Sequence, residues 1–266
     1  MGHRVTILAT LLSLAATEVT ATIPLSPHPT LSFLAIEDGR QSHRMSYVFN
    51  ERQDEPAEGS EIGRERVSNG LWYQFQAGNG FRFDASLQHI HESLSDASES
   101  TATWGAETAR FGTGLSGGLG WSLSIHEWRD EARGWRGAVG AHLGGAGFFS
   151  REGDRFAPFA GGAELRGYTA SAALGVELHK ASAGIFRDLA GLLYLEAFPL
   201  VHMESKDLPP GSFEDNPESD NGLGWVRLGF SLQFNWSDEN PTPVVMSVSQ
   251  VFSPVAQQTL GVGLAF

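Results

Sequence analysis

The feature that most constrains the fold is a long run of alternating residues at about positions 107–128. Every second position faces one way, and the large apolar side chains fall on one face while glycine, serine and histidine fall on the other. A period of two residues is typical of a β-strand with one apolar face. Strands of soluble proteins are commonly about 5–6 residues long, whereas a strand that crosses a membrane needs about 9–11 residues or more. The run therefore predicts a transmembrane β-strand. Its apolar members are Phe111, Leu115, Leu119, Trp121, Leu123 and Ile125.

The same alternation recurs from residue 44 to residue 266, interrupted by short turns and long polar segments. We predict short turns at 78–79, 129–134, 180–188 and 237–241. Both chain ends should lie on the periplasmic side, so the strand number should be even. The sequence thus predicts an all-β fold, a single transmembrane antiparallel β-barrel of 10–12 strands at residues 44–266. Residues 22–43 are a lead-in segment, which could also supply a first strand or hairpin.

Residues 1–21 predict a Sec signal peptide. Arg4 makes the start positive, an apolar run follows at 5–16, and Val19-Thr20-Ala21 offers a small-residue cleavage site. The apolar run is too short to span a bilayer as a helix. An exported chain without a helix-length apolar stretch can enter a membrane only as a closed barrel, because backbone polar groups must stay paired in hydrocarbon. We therefore expect Sec export to the outer membrane of a Gram-negative cell.

Residues 259–266 form an alternating strand that ends in an aromatic residue. The pattern resembles the C-terminal targeting signal of Gram-negative outer-membrane β-barrels. Its four defining positions are occupied by Thr259, Gly261, Leu264 and Phe266. The resemblance implies that the barrel-assembly machinery inserts the chain through this strand.

Composition excludes several classes of function. The chain has no cysteine and a net charge of −13, so it has no disulfide, thiolate metal site or thiol nucleophile. So acidic a chain argues against nucleic acid as a partner. Acidic outer loops instead suit contact with divalent cations and lipopolysaccharide. We expect outer-membrane lipid and lipopolysaccharide as partners, and no resident metal or other cofactor.

Three patterns that carry chemistry in other proteins have simpler explanations here. Residues 112–117 match G-x-G-x-x-G but lie inside the alternating run, not at a strand-to-helix junction. His89 and His91 share a strand face, as metal ligands might, but fit a solvated barrel rim better. Serine, histidine and acidic residues on inward positions are the ordinary lining of a small barrel, so a nucleophile and base are not predicted and we expect no enzyme. These inward candidates are Ser122, Ser124, His126, His142, His179, His202, Glu177 and Glu196.

A further resemblance begins within the predicted 150–169 loop. Its residues are Gly161, Gly162, Leu165, Arg166, Gly167 and Tyr168. They resemble the Gly-Gly…Leu-Arg-Gly-Tyr loop of the BamA/TamA/FhaC superfamily of outer-membrane assembly and two-partner-secretion barrels. Glu177 and the stretches 193–197 and 222–227 match the family's later strands in order, so the resemblance covers about residues 134–266.

The family resemblance implies a specific arrangement in the lumen. In that family the loop folds into the barrel and its arginine pairs with an acidic residue of the inner wall. The implied partner of Arg166 is Glu196, with Glu177 as the alternative. By strand parity, Arg136 and Arg227 are expected to be basic residues of the same lumen.

The resemblance also implies a role in outer-membrane assembly or transport. We expect the barrel portion alone, without the POTRA domains of the family, and with the loop of Arg166 plugging or bracing the lumen. Two alternatives remain open from the residues themselves. One is a small structural or passive pore barrel, and the other is an enzyme that modifies lipid A.

Overall fold

The computed structural model describes residues 42–54, 62–96, 110–154, 163–206, 225–235, 242–252 and 256–266. These residues contain ten strands: β1 (Ser42–Asp54), β2 (Ile62–Gln76), β3 (Phe81–Asp96), β4 (Arg110–Asp130), β5 (Trp135–Asp154), β6 (Ala163–Ala183), β7 (Phe186–Lys206), β8 (Trp225–Asn235), β9 (Val244–Phe252) and β10 (Ala256–Ala265).

Each strand pairs antiparallel with the next one in the chain, and β10 returns to β1, so the described strands form a closed barrel. The β1–β10 pair, called the seam below, runs from Arg44 opposite Ala265 to Gln53 opposite Ala256. The predicted antiparallel barrel of 10–12 strands is confirmed, with ten strands in the described residues. The predicted signal peptide and most of the lead-in segment lie outside those residues.

The barrel is apolar outside and polar inside. Outward residues such as Leu119, Leu143 and Leu174 are 56%, 66% and 60% exposed, whereas the alternate positions are buried. Soluble proteins bury most large apolar side chains. An exposed apolar belt around a polar interior is the arrangement of a barrel surrounded by hydrocarbon. In the described part of the chain, no helix is long and apolar enough to cross a membrane. The buried polar side chains include Ser46, Asn50, Gln74, Ser86, Gln88, Ser116, Ser231 and Thr259.

Short turns join the strands at the end of the barrel where the chain terminates. Three of them contain a glycine with positive φ: Gly80 (83°), Gly134 (66°) and Gly184 (67°). This conformation is costly for side chains other than glycine. The β6–β7 turn is tighter than the predicted 180–188 segment, because β6 continues to Ala183 and β7 begins at Phe186. The predicted 237–241 turn lies outside the described residues.

The ten strands differ greatly in length. Strands β4–β7 have 20–21 residues each, whereas β8–β10 have 9–11. The first residue of β3, Phe81, is opposite Trp121, yet β4 continues to Asp130 and pairs there with β5 alone. The β4–β5 hairpin therefore extends beyond β3 at the turn end, next to the β6–β7 hairpin. The two hairpins are joined, since the Ala181 N–H donates to the Gly134 carbonyl at 3.1 Å.

At an irregularity between β6 and β7, two residues of β7 face the opposite side of the barrel wall from the one predicted. The register shifts between Ala170 and Ala172, and β7 carries Pro199 at this level, which has no N–H to give to a ladder. Beyond the shift Val201 is buried, opposite Thr169, and His202 lies on the outer face opposite Tyr168. Alternation alone predicted the opposite orientation for Val201 and His202.

Side chains as well as backbone close the seam. Within the lumen, the Thr259 hydroxyl donates to the Asn50 side-chain oxygen at 2.7 Å, and the Asn50 amide donates to the Ser68 hydroxyl at 3.1 Å. From Ser68 the hydrogen bonds continue to Gln88 at 3.3 Å and from Gln88 to Ser86 at 3.2 Å. The chain of polar groups thus crosses β10, β1, β2 and β3. It satisfies groups that would otherwise be buried unpaired.

Replacing Gly263 with valine should weaken closure of the barrel. An added Cβ at Gly263 would overlap the Ser46 hydroxyl and the Met45 carbonyl oxygen on β1. We expect a loss of about 1–3 kcal/mol or more in the free energy of unfolding, as for other overpacked sites. The matched control is Gly191→Val, since nothing lies within 4 Å of a Cβ there. Urea unfolding in detergent measures both, and equal stability of the two variants would contradict the role of the seam.

Candidate functional site

The best-defined polar site is an ion pair inside the lumen, between Glu196 of β7 and Arg227 of β8. The two residues lie directly opposite each other in the β7–β8 register, and both side chains are 2% exposed. Arg227 Nε donates to Glu196 Oε2 at 2.9 Å, and Nη2 donates to the same oxygen. The Phe198 ring lies 5.1 Å from the guanidinium carbon. The pair therefore compensates two charges that have almost no contact with water.

Strand β3 contributes a second pair of charges to the same region. Arg82 and Asp84 both face inward and are buried, and Arg82 interacts electrostatically with Asp84 and with Glu196. The buried Tyr194 lies among these charges. Together the five residues Arg82, Asp84, Tyr194, Glu196 and Arg227 are called the lumen cluster below. It contains two arginines and two carboxylates, so its formal charges balance.

A small cavity lies beside the lumen cluster. It has a volume of about 30 Å³, comparable to the volume of a water molecule in the liquid, and lies between β3, β5, β7 and β8, lined by Asp84, His142, Glu196 and Arg227 among others. Room for the large side chains comes from glycines on the adjacent strands: a Cβ at Gly229 would overlap the Tyr194 ring, and one at Gly118 would lie 2.9 Å from the Asp84 carboxylate.

A serine and a histidine lie next to the cluster. Ser122 Oγ is 3.1 Å from His142 Nδ1, and each residue is 6% exposed. Among the inward serine and histidine residues predicted from the sequence, these two are brought together. A nucleophile and base must also be reached by a substrate. This pair instead lies within the packed lining of the lumen.

The structure corrects the predicted position of Arg166. Residues 163–168 belong to strand β6, not to a loop inside the lumen, and Arg166 lies opposite Phe149 and Glu204 on the outer face with an exposed side chain. The carboxylate of Glu196 is paired with Arg227 instead. The physical reason is parity: in β6 Thr169, Ala173 and Glu177 face the lumen, so Arg166 and Tyr168 must face outward.

The remaining predicted residues of this region are placed as follows. Gly161 and Gly162 lie outside the described residues, whereas Leu165 and Gly167 lie in β6. Glu177 is buried on the lumen face and interacts electrostatically with Arg44. Arg136 is half-buried on the lumen face, opposite His179. Arg227, a predicted lumen arginine, pairs with Glu196, a predicted acidic residue of the lumen.

The four residues of the predicted insertion signal alternate in β10. Thr259 and Gly261 are buried on the lumen face, and Leu264 and Phe266 are 49% and 63% exposed on the outer face. Phe266 stacks on His43 with ring centroids 5.9 Å apart. The recognition of this strand by an assembly machinery stays a prediction.

Two further sequence patterns, the His89–His91 pair and the glycines of residues 112–117, lie within strands of the barrel wall. Among the described residues, no group of three or more histidine, aspartate or glutamate residues could hold a metal ion. His89 and His91 lie on the outer face of β3, opposite Thr113 and Phe111 of β4. The glycines of residues 112–117 lie in β4, within a continuous strand.

Sequence reasoning missed the role of Arg82 and Asp84. Their inward facing follows from the alternation of β3, in which Phe81 and Phe83 face outward. A charged pair at two consecutive inward positions is the signal that could have identified them, since such charges need compensation when buried. Alternation does not predict the position of β3 relative to β7 along the barrel axis. That relative position brings Arg82 close to Glu196.

No protein-family model and no curated protein matches the chain. Solved structures similar to it include the translocator domain of the autotransporter NalP from Neisseria meningitidis, at 9% identity over 85% of this chain and 88% of that one, with a TM-score of 0.33. The beta domain of the Bordetella autotransporter BrkA matches at 12% identity over 85% and 99%, with a TM-score of 0.38. The KdgM porin matches at 10% identity over 84% and 99%, with a TM-score of 0.30. At these values the similarities carry no argument about function.

Removing one member of the lumen ion pair should destabilise the barrel strongly. In Glu196→Ala the Arg227 charge stays buried without its carboxylate, which typically costs about 3–5 kcal/mol. The double variant Glu196→Leu/Arg227→Met should lose less, because it leaves neither charge behind. The control is Arg133→Met, which removes an exposed pair with Asp130 (80% and 43% exposed) and should cost about 0–1 kcal/mol. Urea unfolding gives the three values, and equal losses in Glu196→Ala and Arg133→Met would contradict a stabilising role for the buried pair.

Proposed function

We propose that this protein is an outer-membrane β-barrel with a closed lumen, which acts as a structural surface protein and not as a passive pore. The observation that carries the proposal is the lumen cluster. Five buried side chains from β3, β7 and β8 interact inside the barrel, and the cavity beside them measures about 30 Å³. A passive pore needs a continuous water-filled path, as in larger barrels.

Its location follows from the outer surface together with the sequence. The exposed apolar belt suits a hydrocarbon environment, and the predicted signal peptide and terminal strand suit export and insertion by the barrel-assembly machinery. In this orientation the turns at 77–80, 131–134 and 184–185 face the periplasm, and the opposite ends of the strands face the cell exterior, where lipopolysaccharide is the surrounding lipid.

A role in outer-membrane assembly has less support than the sequence implied. Its basis was a lumen loop centred on Arg166, and Arg166 lies on the outer face of β6. A barrel that admits a client strand must also open one of its own strand pairs. The seam, from Arg44 to Gln53, is paired along its length and reinforced by the Thr259–Asn50 hydrogen bond. An enzymatic role is likewise not part of the proposal, since the Ser122–His142 pair is buried.

Conductance across a planar bilayer tests the closed lumen. Wild-type protein should show little or no steady conductance, and Glu196→Ala/Arg227→Ala should conduct more, because it removes two side chains that fill the interior. Leu143→Ala, which changes only the outer face, should behave as wild type. Open-pore conductance in the wild type, unchanged in the double variant, would refute the proposal.

Labelling of single cysteines in intact cells tests the orientation, and the natural absence of cysteine makes the background low. A membrane-impermeant maleimide should modify Glu164→Cys at the outer end of β6. It should leave Asn79→Cys, in the exposed β2–β3 turn, unmodified until the outer membrane is permeabilised. The reverse pattern would place the turns at the cell surface and contradict the assignment.

A further inference from the structure

We propose that the outer face of β4–β7 binds lipid A, with Arg151 and Arg166 holding its phosphates. This inference rests on the proposed outer-membrane orientation and goes beyond it by naming a lipid and a site. Both arginines lie on the outer wall of the barrel, away from the lumen cluster.

The first observation is the height of the arginines. On the outward face of β6 the apolar positions lie between Tyr168 and Lys180, about 12 residues apart, which spans about 30 Å of membrane thickness at the usual rise and tilt. Tyr168 is 50% exposed, as expected for an aromatic residue at a membrane interface. Arg166 lies two positions beyond it, at the level of lipid headgroups.

The second observation is that Arg151 lies beside Arg166 on the neighbouring strand. Phe149 is opposite Arg166, and Arg151 follows on the same face of β5, opposite Glu164. His202 completes this level of the wall, with its ring 4.8 Å from that of Tyr168. Guanidinium groups are well suited to phosphate because they offer several N–H donors in one plane. The chain has a net charge of −13, yet two arginines lie on the outer wall at this level, with Glu164 at the position opposite Arg151 and Glu204 at the position opposite Arg166.

The third observation is a patch of small outward residues in the apolar belt just below the arginines, called the depression below. Larger side chains surround it: Leu143, Leu174, Leu195 and Leu200 are 66%, 60%, 54% and 45% exposed. Gly117 is opposite Gly147, and Gly145 is opposite Ala170. The small outward residues are Gly117, Gly145, Gly147, Ala170, Ala172 and Ala197.

The three observations together favour one kind of ligand. The depression offers space for acyl chains, the aromatic side chains lie at the level of the sugar, and the arginines lie at the level of the phosphates. A soluble phosphate would use the arginines alone and gain nothing from the depression. A phospholipid of the inner leaflet would meet the opposite end of the barrel. A phosphorylated glycolipid of the outer leaflet uses all three features.

Binding of lipid A to the whole barrel in detergent micelles tests the proposal, with bisphosphorylated lipid A and dephosphorylated lipid A as the two probes. Wild-type protein should prefer the phosphorylated probe. Each of Arg151→Ala and Arg166→Ala should weaken its binding about fivefold, the usual contribution of one basic residue near an anionic membrane surface. Arg187→Ala, an exposed arginine at the turn end of β7, is the matched control and should bind as wild type. Heat-dependent gel mobility verifies that each variant is folded.

A second variant tests the depression separately. Ala172→Phe fills the depression without changing any charge, and it should weaken the binding of both lipid probes. Inorganic phosphate should not compete measurably with either lipid probe for the protein. Equal binding of the two lipids by the wild type, or unchanged binding in the Arg151→Ala/Arg166→Ala double variant, would overturn the proposal. Conductance and cysteine labelling of the same proteins report on the closed lumen and the orientation, so a failure of lipid binding is distinguishable from a failure of either.

Discussion

The structure depends on one constraint: a sheet surrounded by hydrocarbon cannot leave the N–H and C=O groups of an edge strand unpaired. Here the constraint is met by joining the two ends of the sheet. His43 and Phe266 exchange backbone hydrogen bonds of 2.9 and 2.8 Å, and from there β1 and β10 pair residue by residue. The seam joins positions more than 200 residues apart in the chain, so its pairing closes the longest loop of the barrel and has the largest entropic cost of closure.

Closure in turn determines what the interior must contain. A ten-strand barrel has an interior that side chains can fill, and the alternation that places leucine outside forces every other residue inward. Charged residues at inward positions must then compensate one another. The opposition of Glu196 and Arg227 also opposes a slip in register, because a shift by one residue would turn one of the two charges toward lipid. The buried ion pair and the apolar belt thus specify the same alignment of β7 and β8.

Alternation was enough to predict the class of fold and the facing of most strands, because the period of two residues is a local property. It correctly placed Leu193 and Leu195 outside and Tyr194 and Glu196 inside. It failed beyond Pro199, where a shift in register exchanges the faces of Val201 and His202. It also could not identify the partner of Glu196, because alternation determines which face a residue lies on and not which residue of the next strand lies opposite it. The lumen cluster was therefore predictable as a set of inward residues but not as a set of contacts.

Residues 163–168 show that a short sequence motif does not determine whether it forms a strand or a loop. The sequence Leu165-Arg166-Gly167-Tyr168 is compatible with both. The neighbouring strands decide between the two, since Phe149 of β5 and Glu204 of β7 both pair with Arg166. Once β6 is continuous, an arginine at this position cannot reach the lumen, and the acidic wall residue needs another partner. Arg227 supplies it, and the arginine that the motif made conspicuous is left on the outer wall. It lies there next to the small outward residues of β4–β7, which are also the longest strands. The lipid-facing side that these strands form therefore differs from the side that the shorter strands β8–β10 form.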